Sequence, residues 1–138
     1  MTFAAHIVRA LLESYLSDSA ELVFRHQDTD VWIFPRGAGT PIYVHIDGDR
    51  ADVFAGFTFR ATVYAGDEGQ EDLVIDCVEA VISGNAREFF DFGDLGVDDR
   101  TQGFAGIAFR GRDLAFTSGE DLAVASYAIP AWSEVPAR

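Results

Sequence analysis

Between residues 67 and 99 the chain sets eleven carboxylates against one base, Arg87: Asp67, Glu68, Glu71, Asp72, Asp76, Glu79, Glu88, Asp91, Asp94, Asp98 and Asp99. That segment carries a net −10 of the chain's −13. Clustered carboxylates serve three chemistries: paired acid–base work on glycosidic bonds, calcium binding, and attraction of basic surfaces. The first is unspecific here, because so many acids offer many pairs. The second fails on spacing. Counted from Asp91, an EF-hand loop needs an acid at its third position and a bidentate Glu at its twelfth, where this chain has Gly93 and Gln102. The third stands, and the same charge argues against phosphate-rich partners, so neither nucleic acid nor a membrane surface is expected.

The remaining reactive side chains are few. His6, His26 and His45 do not have the spacing of zinc ligands, so no metal and no cofactor is expected. Cys77 falls among apolar neighbours beside Asp76 and Glu79, a setting that raises a thiol pKa and marks a structural residue. Nothing resembles a nucleophile elbow. Gly37-Ala38-Gly39-Thr40 lacks the lysine of a phosphate loop, and Asp91-Phe92-Gly93 stands without the rest of a kinase signature. No catalytic residue follows. One polar grouping offers an alternative site: Tyr43, His45 and Asp47 share the polar face of an alternating run, with Arg60 on an adjacent strand.

Helices and strands must position these groups. Ile7, Val8, Leu11, Leu12, Tyr15 and Leu16 form one stripe of a helix over about residues 3–17. Leu73, Val74, Cys77, Val78, Val81 and Ile82 repeat that stripe in a second helix over about 69–83. Asp67 with Gln70 resembles a capping box, and Gly84 sits where a helix end favours a left-handed residue. On the second helix Asp72, Asp76 and Glu79 are spaced to share one outward strip. Leu22–Phe24 and Val31–Phe34 flank a turn at 27–30, and residues 35–41 read as a loop. Residues 42–47 alternate. Beyond the turn Asp47-Gly48-Asp49, the apolar residues from Ala51 to Val63 are all odd-numbered, with Gly56 marking a bulge or a division. Ala86–Phe92 reads as a strand, 93–103 as an acidic loop, and 104–109 with 114–116 as a second hairpin. Residues 119–128 fit either a short helix capped by Ser118 and Asp121 or a strand, and the tail from about residue 130 reads as loose. Within Glu88–Asp94 only alternate aromatics face the core, so either Phe89 or the Phe90/Phe92 pair is expected at the surface.

These elements predict an α+β domain: one mainly antiparallel sheet with helices on one face, in the order helix, three or four strands, helix, two or three strands. With 138 residues, 49% of them hydrophobic, one self-folding domain is expected. A single cysteine excludes an internal disulfide. The N-terminal residues lack the basic start and apolar run of a signal peptide, and a cytoplasmic location is expected.

The two helix stripes, Ile7–Leu16 and Leu73–Ile82, bracket the strands from Leu22 to Val63. In that order the chain is similar to small bacterial secretion-chaperone-like domains, and in size and charge it resembles bacterial immunity proteins. Either resemblance implies a non-enzymatic protein that occludes a basic protein partner. The surface expected to do so comprises Asp72, Asp76, Glu79, Glu88, Phe89, Phe90, Asp91, Asp94, Asp98 and Asp99. The alternatives are a small enzyme or ligand-binding domain with its pocket at Tyr43, His45 and Arg60, and a self-associating domain, as in a homodimer.

Overall fold

The computed structural model describes residues 2–66, 70–91 and 104–138. The chain begins with helix α1 (Ala5–Leu16), whose Val8, Leu12, Tyr15 and Leu16 turn inward. Five strands follow as a meander: β1 (Ala20–Arg25), β2 (Asp30–Pro35), β3 (Ile42–Asp47), β4 (Arg50–Ala55) and β5 (Phe59–Tyr64). They pair antiparallel in sequence order. Cross-strand register puts Val31, Val44, Val53 and Ala61 in one row on the inner face, where each is buried. The odd-numbered alternation of 51–63 is therefore an inner face, broken at Gly56 into two strands. Phe57, at the tip between them, leaves the pattern and points to solvent.

Helix α2 (Asp72–Ile82) packs against α1, β4, β5 and the second sheet, which explains why nearly its whole circumference is buried. Its first residue follows Glu71, which makes no side-chain cap; instead Glu71 Oε1 accepts the backbone N–H of Ala4 (3.0 Å) and ties the starts of the two helices together. Asp67 of the expected capping box lies outside the described residues. Gly84 does adopt the left-handed conformation, φ +79°.

The α+β class and the antiparallel pairing agree with the sequence reading, but there are two sheets rather than one. The second contains β6 (Ala86–Phe90), β7 (Phe104–Arg110), β8 (Ala115–Thr117) and β9 (Ala125–Ala128) in the order β8-β7-β6-β9. Residues 119–128 are neither all helix nor all strand: a 3-10 turn, Glu120–Leu122, precedes β9, and the turn starts at a left-handed Gly119 with no side-chain cap. The sheets meet where the Phe59 and Phe109 rings cross edge to face at 6.2 Å.

The tail is fastened, contrary to the expectation from its sequence. Ile129 and Trp132 are buried. The Trp132 indole N–H donates to the Thr40 carbonyl (3.0 Å), its backbone N–H to Ile82 (2.9 Å), and the Ser133 N–H to Ala38 (2.9 Å). The 36–41 loop and the end of α2 are thereby joined. Among the described residues no helix is long and apolar enough to cross a membrane.

Candidate functional site

Of the acidic residues singled out by sequence, Asp76 and Glu88 are buried, and Glu79 and Asp91 are partly covered. Asp72 is exposed in the first turn of α2. Asp76 is 0% exposed, and its carboxylate accepts the backbone N–H groups of Arg112 (2.5 Å), Asp113 (3.0 Å) and Leu114 (2.9 Å) from the β7–β8 turn. The Arg138 guanidinium approaches the same carboxylate at 3.3 Å. Glu79 is largely covered and paired with Arg112 (2.8 Å) and Arg138 (3.6 Å). The outward strip of Asp72, Asp76 and Glu79 is thus corrected: the turn and the tail pack over the side of α2 that carries the last two.

Glu88 is likewise 1% exposed, accepting the N–H of Phe57 (2.8 Å) and both the N–H (3.1 Å) and hydroxyl (3.2 Å) of Thr58. It clamps the β4–β5 turn onto the second sheet. Phe89 and Phe90 are both buried. The register slips between them, and Phe90 meets the rings of Phe104 (6.4 Å) and Tyr127 (5.6 Å), so neither is a surface anchor. Asp91 is half-buried just past β6. Asp94, Asp98 and Asp99 lie outside the described residues.

Tyr43, His45 and Arg60 do come together, on the solvent face of the five-stranded sheet. Register aligns Trp32, Tyr43, Phe54 and Arg60 in one row. The three rings stack across the strands at 5.0 and 5.4 Å, both with planes 20° apart, and the Arg60 guanidinium lies 5.7 Å from the Phe54 centroid. The next row is polar: Asp30, His45, Asp52 and Thr62. Asp52 is buried under Arg50 (3.2 Å), Arg60 (3.3 Å) and the Thr62 hydroxyl (2.6 Å).

Asp30 is the hub of this face. Its carboxylate accepts the Tyr43 hydroxyl and lies 2.7 Å from His45 Nδ1 and 2.5 Å from His26 Nδ1. The Tyr43 bond holds its pKa down at about 2 against the opposing effect of burial, with both imidazoles assisting. In turn, burial and then the Asp30 carboxylate push Tyr43 up to about 12. An ionised carboxylate only accepts, so either ring, when neutral, donates from Nδ1–H and keeps Nε2 as its acceptor. His26 opens a run of three left-handed residues, His26, Gln27 and Asp28, with φ from 54° to 68°. Such backbone is costly for residues with a side chain. The Arg9–Asp28 ion pair (2.8 Å), the Thr29 hydroxyl on the His26 carbonyl (2.8 Å) and the Asp30 contact hold the turn in place.

Replacing Tyr43 with Phe should raise the Asp30 pKa toward the ordinary 3.8 and cost about 1.5 kcal/mol near neutral pH. Because the folded pKa lies below the unfolded one, the Asp30 contribution is complete above about pH 4 and fades as pH falls toward 2. An NMR titration of the carboxylate, with urea unfolding near pH 7 and near pH 3, measures both effects; the variant should lose less stability on acidification than the parent.

Two concavities border the face. An open cleft of about 480 Å³ is rimmed by Trp32, Phe34, Pro41, Tyr43, Phe54 and Phe57, and within it Phe34 is 42% and Phe57 72% exposed. Beyond Arg60 a groove of about 500 Å³ runs between β5 and the β7–β8 hairpin. Hydroxyls line both, Thr40 and Thr58 in the cleft and Thr62 and Ser118 in the groove, and a cysteine lines neither. Cys77 is buried in α2, where burial and then the Asp76 charge push its thiol up. No three His, Cys, Asp or Glu among the described residues are grouped to hold a metal ion.

Sequence reasoning missed Trp32, Phe34, Phe54 and Phe57, and the hub Asp30. The signal was present: once odd-numbered residues in 51–63 face inward, Asp52, Phe54 and Arg60 must face outward together. What the sequence alone withheld was the register that aligns them with Trp32 and Tyr43. No family model, curated protein or solved structure matches this chain.

Proposed function

We propose that the chain is a non-enzymatic protein-binding module that engages a basic partner through the solvent face of its five-stranded sheet. The observation that carries this is the aromatic row Trp32–Tyr43–Phe54, extended by the exposed Phe34 and Phe57, on a face the described residues leave open. Large aromatics with a charged rim supply most of the energy at protein interfaces. A stacking platform for bases or other flat ligands needs free ring faces. Here both faces of Tyr43 are occupied by Trp32 and Phe54, and Arg60 lies over Phe54. Edges and rims are what the row offers, and these suit an irregular protein surface. The net charge of −13 favours a basic partner and speeds its approach.

The test is capture from native lysate by the parent chain and by a Phe34→Asp/Phe57→Asp variant, each at low and high salt. Both side chains are exposed, so the variant keeps its fold. A basic protein recovered by the parent at low salt, weakened by salt and lost with the variant is the expected result. Identical recovery by both chains removes the proposal. A second reading, a small enzyme, is favoured by the His45 ring that Asp30 orients at 2.7 Å with Nε2 left as an acceptor, the arrangement of a general base.

A further inference from the structure

We propose that the edge of β5, which no other strand among the described residues covers, takes an extended segment of the partner as a sixth strand, seated in the groove between the two sheets; this rests on the protein-binding reading above. β5 ends the five-stranded sheet, and β8 ends the other. Among the described residues β5 pairs only with β4, and the groove is lined by consecutive residues 60–64 of β5 and, opposite, by Phe104–Ile107, Phe109 and Leu114–Phe116. An edge strand presents a row of unsatisfied N–H and C=O groups, the template for strand addition. Five residues give a template of roughly 16 Å.

The walls define the chemistry of the occupant. Arg60, Thr62 and Tyr64 lie on the solvent face of β5, and Ala61 and Val63 on its inner face. An added strand inherits that alternation. One set of its side chains meets Leu73, Ile107 and Leu114; the other lies beside Thr62 and Tyr64 near the exposed rings of Phe104 and Phe116. Next in sequence to lining residues stand the exposed Asp72 and Asp113 and the exposed Arg110, a net negative charge, while the one lining cation, Arg60, is already paired with Asp52 (3.3 Å). The occupant is therefore an extended peptide, apolar at alternate positions and flanked by arginine or lysine. Backbone bonds would give it affinity and the apolar wall its register.

The probes are peptides selected on the full chain from a random display library. Expected are sequences alternating apolar and polar residues with basic flanks, slowed amide exchange in 59–64, and loss of binding when alternate peptide amides are methylated. Phe116→Asp, at a side chain 50% exposed and so tolerated by the fold, should weaken binding about tenfold or more. Peptides whose exchange footprint falls on β2–β4, or that bind equally when methylated, overturn strand addition and leave the protein-binding reading standing. Failure to select any peptide, while a partner is still captured through Phe34 and Phe57, overturns it too. Failure of both selection and capture overturns both.

Discussion

Replacing Asp76 with alanine should cost about 3–5 kcal/mol of folding stability, a large share of what a domain of this size has. The carboxylate is buried and is the shared acceptor for three backbone N–H groups of the β7–β8 turn, with the Arg138 guanidinium alongside. Truncation strands those donors where water has little access, and a buried donor without an acceptor costs about 1–3 kcal/mol. Asparagine should recover only part of the loss, since its NH2 group would be turned toward N–H donors. Urea unfolding of the parent and both variants measures this. Burial alone would raise the Asp76 pKa, but the three backbone donors and Arg138 together hold it below the ordinary value. The native state therefore binds this proton less readily than the unfolded chain, so the Asp76 contribution is present above about pH 4 and lost as pH falls below it. A parent and an Asp76→Ala chain equally stable near neutral pH would show that water replaces the carboxylate.

The second large effect is at Glu88 and Gly56, and it should be non-additive. Glu88→Ala removes the acceptor for Phe57 and Thr58 and should cost about 2–3 kcal/mol, less than at Asp76 because the turn tip reaches solvent. Gly56 has φ +60°, and a Cβ there would collide with Glu88 Oε1. Gly56→Ala therefore combines a left-handed penalty of about 1–2 kcal/mol with displacement of the Glu88 carboxylate. In the double variant the collision is gone. The sum of the single losses should exceed the double loss by about 1–2 kcal/mol, read from a double-mutant cycle in urea. Strict additivity would mean that Glu88 does not crowd Gly56.

Both clamps were visible in the sequence only as charge. A run of carboxylates reports net charge, whereas their burial depends on what lies opposite. The partners of Asp76 and Glu88 are main-chain N–H groups at 112–114 and 57–58, which every residue but proline carries and no motif marks. The legible parts were those with a period: the stripes of α1 and α2, the alternation of β3 to β5, the turn at Gly48 and the left-handed Gly84. The number of sheets was not legible, because strand patterns do not say which edges join. β6 reads as one more strand of a single sheet, yet it pairs with β7 and β9 and leaves β5 as an edge. Likewise Ile129 and Trp132 look like isolated apolar residues until the Thr40 loop and the end of α2 supply their surroundings.

Trp132 also sets an order on folding. The five-stranded meander joins neighbours in sequence and closes only short loops as residues 20–64 zip hairpin by hairpin. The four-stranded sheet must bring Ser126 beside Phe89, and the tail must carry Trp132 back to Thr40 and Ile82. On loop-closure entropy these long closures should come after the meander has made its face. Until residues 129–132 arrive, the end of α2 and the 36–41 loop lack their cover. The half-made molecule should thus be most adhesive there, beside the aromatic cleft that Thr40 and Pro41 line, during the interval before its last segment docks.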